Sequence, residues 1–448
     1  AYAGVPGEAA LEFKTMVRQM HRAGIEVILD VVFNHTGEAH EKSSLSSFRV
    51  LAPATYYMRD SETGAHLNFT GCGNTVNCNN PVVRRLIIDC LRYWVVEMHI
   101  DGFRFDLASI FSRAQDGGVI KNPPLVEEIA VDPVLSRTKI IAEAWDAAGL
   151  YQVGSFSANG HWSEWNGRFR DDVRAFLCAH DGCVAQLATR LAGSADLYQA
   201  SGRRPYNSIN FITSHDGFTL RDLVSYNRKH NGANGEKNQD GEEHNISWNS
   251  GREGDCAVRK IIILRERRIR TAALILLISQ GTPMLLAGDE FGRSQGGNNN
   301  AYCQDNDISW LNWDLVNENR AIHRFFRYMI RLRKNHPVFR RHDFFESPEQ
   351  EITWQGLKKG EADWAADAKI LCFVLAGKGR DNDFFVALSS GVRPKMVELP
   401  EPPNGKDWRL IVDTAASSPH DIVDDARGIR VRTKKITLQG RSAVILIA

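Results

Sequence analysis

The sequence predicts an α/β fold, a (β/α)8 TIM barrel followed by a C-terminal all-β sandwich domain. Short, apolar, β-branched runs alternate with helical patterns, which is typical of parallel strands joined by helices. Candidate acidic residues follow these runs at intervals close to one and two barrel units, a unit being roughly 31 residues. A doubly wound sheet would carry a glycine-rich phosphate turn after its first strand, and this sequence has none. The barrel is therefore the better interpretation.

The elements are predicted from periodicity and stop signals. A helix is expected over Glu8–Ala23, because its apolar residues recur at helical spacing and Gly24 follows as a stop. The short β-branched run from Ile25 to Val32 indicates a buried parallel strand. An amphipathic helix is expected over Pro81–Met98. Further strands are predicted at Asp101–Leu107, Lys139–Ala144, Ser208–Thr213 and Pro283–Gly288, and a long helix at Val258–Ile278.

Two domains are expected, a barrel domain over residues 1–342 and a β-sandwich over residues 343–448. From about Asp343 onward the apolar pattern changes to period two, with Pro, Gly and Asp between the runs, as in a small sandwich. Fewer strand patterns precede this change than the eight of a barrel. Because the chain also opens just before a helix, its first two βα units are expected to be missing.

Composition excludes several classes of partner. Lys+Arg 55 against Asp+Glu 54 leaves a net charge of +1, so the composition offers no broad electrostatic attraction to nucleic acid or to an anionic membrane. No apolar run is long enough to span a bilayer. The eight cysteines form no tight framework, which favours a reducing compartment. Cys72 and Cys78 have no second pair nearby for zinc, and no metal or cofactor is predicted.

The segment DGFRFDLAS, Asp101 to Ser109, carries the most informative pair. Residues two apart in a strand share a face, so Arg104 and Asp106 are expected to point the same way. An arginine beside a carboxylate lowers the carboxyl pKa and keeps it ionised, the state that a nucleophile needs. A purely structural ion pair is the alternative interpretation.

Glu143 ends the apolar run KIIAEA and precedes Trp145. A carboxylate beside aromatic surface tends to have a raised pKa, as a general acid requires, although a solvated strand end is an equal alternative. Aromatic residues follow at Trp145, Trp162, Trp165 and Phe169. Sugar rings stack on such side chains, so these residues are candidates for a sugar-binding surface, whereas Phe169 is expected in the core.

His215 and Asp216 follow the strand pattern SINFIT. Such a pair binds a metal or hydrogen-bonds a polar ligand, and Asp30, Asn34 and His35 could add ligands. The set lacks the tight multi-histidine spacing of a metal site, so a metal-dependent phosphohydrolase is the weaker interpretation.

Four segments resemble the four short sequence regions of the α-amylase superfamily, in the right order: DVVFNH, GFRFD, the Glu of AEAWD and the HD of FITSHD. The segment GNTVNCNNP resembles the additional region of that superfamily. Three longer segments are similar to isoamylase-type debranching enzymes of starch and glycogen: WSEWNGRFRDDVR, NGANGEKNQDGEEHNISWNSGREG and GDEFGRSQGGNNNAYCQDND. The resemblance covers residues 8–340 strongly and the β-domain more weakly.

The resemblance implies a role for each matching residue. Asp106 is implied as the nucleophile, Glu143 as the general acid/base and Asp216 as the transition-state stabiliser. The implied reaction is retaining hydrolysis of α-1,6-glucosidic branch linkages through a covalent glycosyl-enzyme, with the first two carboxyls about 5–5.5 Å apart. The resemblance also implies that Arg104, His35 and His215 hold the nucleophile and the sugar. Asp30, Asn34 and Trp145 are further substrate-binding candidates.

A branched α-glucan such as amylopectin or glycogen is the implied partner, with no nucleic acid and no membrane. A homo-oligomer or a hetero-complex with related isoamylase subunits is compatible with the resemblance. AEAWD, CGNTVNC and DCLRYWVVEMHIDGFRFDLAS resemble plant and algal isoamylases most, which implies the chloroplast stroma, whereas bacterial relatives imply the cytoplasm. Two alternatives stay open: another activity of the superfamily, such as α-1,4-glucan hydrolysis, and a non-catalytic glucan-binding partner subunit.

Overall fold

A computed structural model describes residues 4–5, 7–38, 47–157, 160–346, 351–403 and 405–448. The chain forms two compact units. The first consists of Ala1–Trp165 and Leu197–Ser208, and the second of Asn166–Asp196 and Ile209–Ala448. The predicted domain boundary at residue 343 does not coincide with these units and stays a prediction.

The first half of the chain alternates helices and short strands. In chain order the elements are α1 (Glu8–Arg22), β1 (Ile28–Val31), α2 (Pro53–Tyr56), α3 (Pro81–Val96), β2 (Gly102–Phe105), α4 (Pro124–Val131), β3 (Lys139–Ala142), β4 (Trp162–Trp165), α5 (Gly167–Leu177), α6 (Cys183–Leu191), α7 (Ala195–Tyr198), β5 (Ser208–Asn210) and α8 (Leu220–Leu223).

The second half carries two long helices and then strands. Its elements are α9 (Arg259–Ile278), β6 (Thr282–Pro283), α10 (Leu315–Glu318), α11 (Arg320–Asn335), β7 (Ile352–Gln355), β8 (Ile370–Leu375), β9 (Phe384–Ser389), β10 (Lys395–Glu398), β11 (Arg409–Asp413), β12 (Ile429–Arg430), β13 (Lys435–Leu438) and β14 (Ser442–Ile447). No helix in the described ranges is both long and apolar enough to cross a bilayer.

In the first unit, β1, β2, β3 and β4 form parallel neighbours in that order. Parallel strands need a crossover between them, and α3 provides the one before β2. The side chain of its N-cap residue, Asn80, accepts from the N–H of Val82. β2 and β3 approach closely at Gly102, where a Cβ would lie 2.4 Å from the carbonyl oxygen of Lys139. Only glycine fits there without moving a strand.

The core of the first unit includes several large aromatic side chains. Phe103, Phe105 and Trp162 have no exposed surface, and the Phe105 and Trp162 rings lie 5.2 Å apart. Burying each such side chain contributes roughly 1.5–3 kcal/mol. These aromatic side chains belong to the same sheet as Arg104. Their packing therefore holds in place the strands that carry the candidate site.

The second unit contains the antiparallel C-terminal sheet, in the order β12-β11-β14-β9-β8-β7, and a separate antiparallel pair, β10 and β13. One face of the larger sheet joins the apolar core that includes α9 and α11, through residues such as Phe373 and Val386. The other face packs with β10 and β13 through residues such as Cys372, Phe385 and Leu438. β8, β9 and β14 are consequently buried on both faces.

One element prediction is wrong in detail, and one strand was not predicted. The strand expected at Pro283–Gly288 is confined to Thr282–Pro283, and residues 284–288 form no strand. β4 was not expected at all, because its four residues are nearly all buried and show no polar alternation. The remaining predicted elements are present, with the strands shortened by one to three residues at an end. The prediction that the strand within Ile25–Val32 is buried is wrong, because Val31 is the one buried residue of β1.

Candidate active site

The candidate carboxylates of the first unit lie where β2 and β3 end. Asp106 follows β2 directly, and its N–H donates to the carbonyl of Val31 at 3.1 Å. Glu143 follows β3 directly, and its N–H donates to the carbonyl of Phe105 at 3.0 Å. Both side chains therefore leave the same edge of the sheet, at the carboxyl ends of neighbouring parallel strands.

Arg104 joins three carboxylates at this edge. Its Nη1 lies 2.8 Å from Oδ1 of Asp30 and 3.1 Å from Oδ1 of Asp106, and its Nη2 lies 2.8 Å from Oε2 of Glu143. The strand register explains the contact with Asp30, because Arg104 of β2 lies opposite Asp30 of β1. The contact with Glu143 was not predicted from the sequence.

Arg104 is held rigidly. Its side chain is only 5% exposed, and its guanidinium lies 4.1 Å from the ring centroid of Trp165. Burial by itself would lower the pKa of Arg104, but the charges of Glu143, Asp30 and Asp106 outweigh burial and raise that pKa. The guanidinium is thus a permanent positive charge placed between the two candidate carboxylates.

Asn34 orients Asp106 from the other side. Its Nδ2 donates to Oδ2 of Asp106 and to the backbone carbonyl of the same residue, both at 2.8 Å. Because its amide nitrogen is used in this way, its oxygen accepts, and Nδ1 of His35 lies 2.5 Å from it. Asp106 therefore has one carboxylate oxygen on Arg104 and the other on Asn34.

Burial lowers the pKa of His35, and the charge of Asp106 opposes this only partly. The imidazole is therefore neutral at neutral pH, with its proton on Nδ1 toward Asn34. Nε2 is left as an acceptor, which suits a sugar hydroxyl that donates.

Leu107 fixes Glu143 through strained backbone. It adopts φ 40° and ψ 50°, a left-handed conformation that non-glycine residues rarely take. In this conformation its N–H donates to Oε2 of Glu143 at 2.8 Å, and the N–H of Ala108 donates to the Glu143 carbonyl at 2.8 Å. Sequence reasoning missed this role, and no residue type at position 107 signals it.

Of the aromatic candidates, only Trp145 offers open surface beside the carboxylates. It is half-buried and stacks nearly parallel on Tyr151, with ring centroids 6.0 Å apart. Trp162 as a sugar-stacking candidate is wrong, because it is fully buried and donates from Nε1 to the carbonyl of Val126. Trp165 packs on Arg104 instead. Phe169 lies in the core, as expected.

His215 and Asp216 belong to the second unit, where both side chains are exposed, by 52% and 70%. Nε2 of His215 lies 3.5 Å from Oδ2 of Asp216. The backbone carbonyl of Asp216 accepts from Oγ of Ser214 at 3.0 Å. The pair is thus open to a ligand and fixed through its backbone.

Asp289, which sequence reasoning missed, holds both ends of the segment that carries this pair. Its carboxylate accepts from the hydroxyl of Thr213 and, at 2.8 Å, from the N–H of Leu220. Complete burial raises the pKa of Asp289 to about 7. The only signal in the sequence is that an acidic residue follows the strand pattern near Pro283.

Within the described ranges, no three His, Cys, Asp or Glu side chains converge as a metal ion would require. The arrangement seen in the first unit suits a different chemistry. Two carboxylates share one buried guanidinium, with an asparagine and a histidine beside one of them.

Comparison with known proteins identifies relatives. A family model described as "Isoamylase 1-3, C-terminal" matches residues 353–443. Isoamylase 1, chloroplastic, of Oryza sativa subsp. japonica is 46% identical over 437 residues, 93% of this chain and 54% of that protein. A glycogen operon protein GlgX homolog of Mycobacterium tuberculosis is 50% identical over 370 residues, 80% of this chain and 51% of that protein. The chain spans about half the length of these relatives.

The fold also has solved counterparts. A pullulanase from Bacillus acidopullulyticus matches 97% of this chain and 48% of its own, with a TM-score of 0.72 and 22% identity. Pullulanase type I from Bacillus subtilis str. 168 matches 98% of this chain and 55% of its own, with a TM-score of 0.72 and 24% identity. This similarity confirms the predicted fold class, a TIM barrel with a C-terminal β-domain.

Proposed function

The chain belongs to the isoamylase family, and from this premise we propose that its protein is a glycoside hydrolase that cleaves α-1,6-glucosidic branch linkages in starch- or glycogen-type glucans. One observation carries the proposal, the contact of a single buried guanidinium, Arg104, with both Asp106 and Glu143. Retaining glycosidases need two carboxyls about 5–5.5 Å apart. Contact with one guanidinium keeps the carboxylates of Asp106 and Glu143 near each other, as this mechanism requires.

In the first step Asp106 is the nucleophile and Glu143 the general acid. Glu143 gives its proton to the O6 oxygen of the branch linkage as the C1–O6 bond breaks. The Asp106 carboxylate attacks C1, and the branch becomes covalently bound to the enzyme. Asn34 and Arg104 each hold one oxygen of Asp106, so the carboxylate is aligned before the substrate arrives.

Glu143 must be protonated for this step. Arg104 contacts Glu143 together with two further carboxylates, Asp30 and Asp106. The Leu107 N–H keeps the carboxyl in place in either protonation state.

In the second step Glu143, now a carboxylate, takes a proton from water as that water attacks C1. Asp106 leaves, and the chain is released with retained α configuration. Asp216 resembles the transition-state stabiliser of the family. We therefore assign to it the stabilisation of the positive charge that develops at C1. His215, His35 and Trp145 are assigned to the sugar: the histidines by hydrogen bonding and the tryptophan by stacking.

The proposed partner is a branched α-glucan, amylopectin or glycogen. Relatives are named both as chloroplastic proteins of plants and as glycogen operon proteins of bacteria. The protein is accordingly assigned to the plastid if its source is a plant or alga and to the cytoplasm if its source is a bacterium. A homo-oligomer or a complex with related isoamylase subunits is part of the same proposal.

The test uses the complete protein and amylopectin. Debranching releases linear chains, so the iodine colour becomes bluer while new reducing ends appear in proportion to the branches cut. Unbranched amylose is the control, and its length should not change. Shortening of amylose without loss of branches from amylopectin would replace this proposal with α-1,4 hydrolysis.

A further inference from the structure

The second unit contains a cleft that the proposed chemistry does not use. Its volume is about 690 Å³, within the range of about 300–1,000 Å³ typical of pockets for small molecules. We call it the Trp310 cleft. Its lining includes Arg221, Asp255, Arg293, Asp307, Trp310 and Glu318.

Trp310 is an exposed but fixed aromatic wall. The residue is 57% exposed. Its Nε1 donates to Oδ1 of Asp305 at 2.9 Å, and its backbone N–H donates to the carbonyl of Asn306 at 3.0 Å. The ring is therefore held in one orientation, so a ligand that stacks on it loses little conformational entropy.

The polar groups of the cleft are available to a ligand. Arg221, Asp255, Asp307 and Glu318 form no ion pair or hydrogen bond through their side chains within the described part of the chain. Arg293 is buried, and its Nε has no hydrogen-bond partner among the residues that the structure describes. A buried donor without a partner is costly, and a ligand oxygen would remove that cost.

The charges favour a neutral ligand. Two arginines and three carboxylates line the cleft, so neither an anionic nor a cationic ligand is attracted strongly. A polyol can donate to the carboxylates and accept from the arginines at the same time. An aromatic face beside mixed donors and acceptors is the surface that suits a sugar, which has an apolar face and polar edges.

Hydrogen bonds hold the wall of the cleft in place. Asp222 accepts from Oγ of Ser294 at 2.5 Å and from the N–H of Gln295 at 2.8 Å. Arg221, the residue before it, lies on α8, and that helix follows the segment that carries Asp216. The Trp310 cleft is thus joined to the segment that carries one of the candidate catalytic carboxylates.

We propose that the Trp310 cleft is a further glucan-binding site, in which an α-glucan chain stacks on Trp310 and hydrogen-bonds to the unpaired charged groups around it. The choice of an α-glucan rests on the proposed function. The site adds affinity for the polymer beyond that of the residues that perform the chemistry.

The experiment measures glycogen binding by affinity electrophoresis of the complete protein. Trp310→Ala should weaken binding about five- to tenfold, the loss of one stacking contact. Trp364→Ala is the matched control, because Trp364 is also exposed, by 47%, and lies outside the cleft. That variant should bind glycogen as the wild type does. Melting temperatures of both variants show whether they fold.

Asp307→Ala is the second variant in case Trp310→Ala does not fold, and it should weaken binding about twofold. Unchanged binding in a folded Trp310→Ala variant, or equal weakening in Trp364→Ala, would overturn the inference. The assay is separate from branch cleavage. A protein that binds glycogen through Trp310 but cuts no branches would contradict the proposed function and leave this inference standing.

Discussion

The side-chain amide of Asn34 donates twice to Asp106, once to its carboxylate and once to its backbone carbonyl, at 2.8 Å each. One buried amide thus fixes both the rotamer of this carboxylate and the point where β2 ends. Arg104 holds the other carboxylate oxygen. The position of the candidate nucleophile is therefore determined by two residues, Asn34 after β1 and Arg104 on β2.

Replacing Asn34 should reduce activity more than stability. A hydrogen bond to a charged group is worth about 1.5–3 kcal/mol, so Asn34→Ala should lower kcat/KM on amylopectin roughly 10- to 100-fold. Asn79→Ala is the control, since the amide of Asn79 likewise donates twice within the first unit, to two backbone carbonyls, but to no candidate catalytic residue. Equal losses of activity in the two variants would mean that Asn34 acts only through folding.

Arg104→Lys should be severely impaired although it conserves the charge. The planar guanidinium reaches Asp106 and Glu143 with separate nitrogens, which a single ammonium cannot do. We expect kcat on amylopectin to fall about 100-fold or more, with a smaller change in KM. Steady-state kinetics measure this directly. A kcat within threefold of the wild type would show that the shared guanidinium is not essential.

The stability of the protein should depend on Asp289 in a defined pH window. Burial raises the pKa of Asp289 from 3.8 to about 7, so the folded state binds more protons than the unfolded state between these values. The free energy of unfolding should therefore fall as pH rises from about 4 to about 7, by about 4 kcal/mol at most from this group.

Asp289→Asn should flatten that dependence, as thermal unfolding at several pH values would show. Asp314→Asn removes an exposed carboxylate of the same unit and is the control, which should keep the pH profile of the wild type. A slope that survives in Asp289→Asn would mean that other groups cause it.

Local pattern was enough to predict part of the candidate site. Period two placed Arg104 and Asp106 on one face, and they are in contact. The contact of Arg104 with Glu143 depends on the register between β2 and β3, and no local pattern determines the register of two parallel strands that are distant in sequence. The left-handed Leu107 had no signal either, since its strain is imposed by the surrounding fold.

The predictions for two tryptophans were wrong for a different reason. Trp162 and Trp165 lie on a strand buried on both faces, and such a strand lacks the polar alternation that would reveal it. An aromatic residue near a carboxylate in sequence is then indistinguishable from one that forms the core. Asp289 was missed for a related reason, because a buried acidic residue in a polar loop resembles its solvated neighbours.

The most direct test traps the covalent intermediate. The variant Glu143→Gln cannot activate water, whereas an α-maltosyl fluoride needs no acid to leave, so the glycosyl-enzyme should accumulate as fluoride is released. Mass spectrometry of the digested protein should find one maltosyl group on the peptide that contains Asp106, and none in the double variant that also carries Asp106→Asn. A maltosyl group on another residue, or its persistence in the double variant, would contradict the assignment of Asp106 as nucleophile.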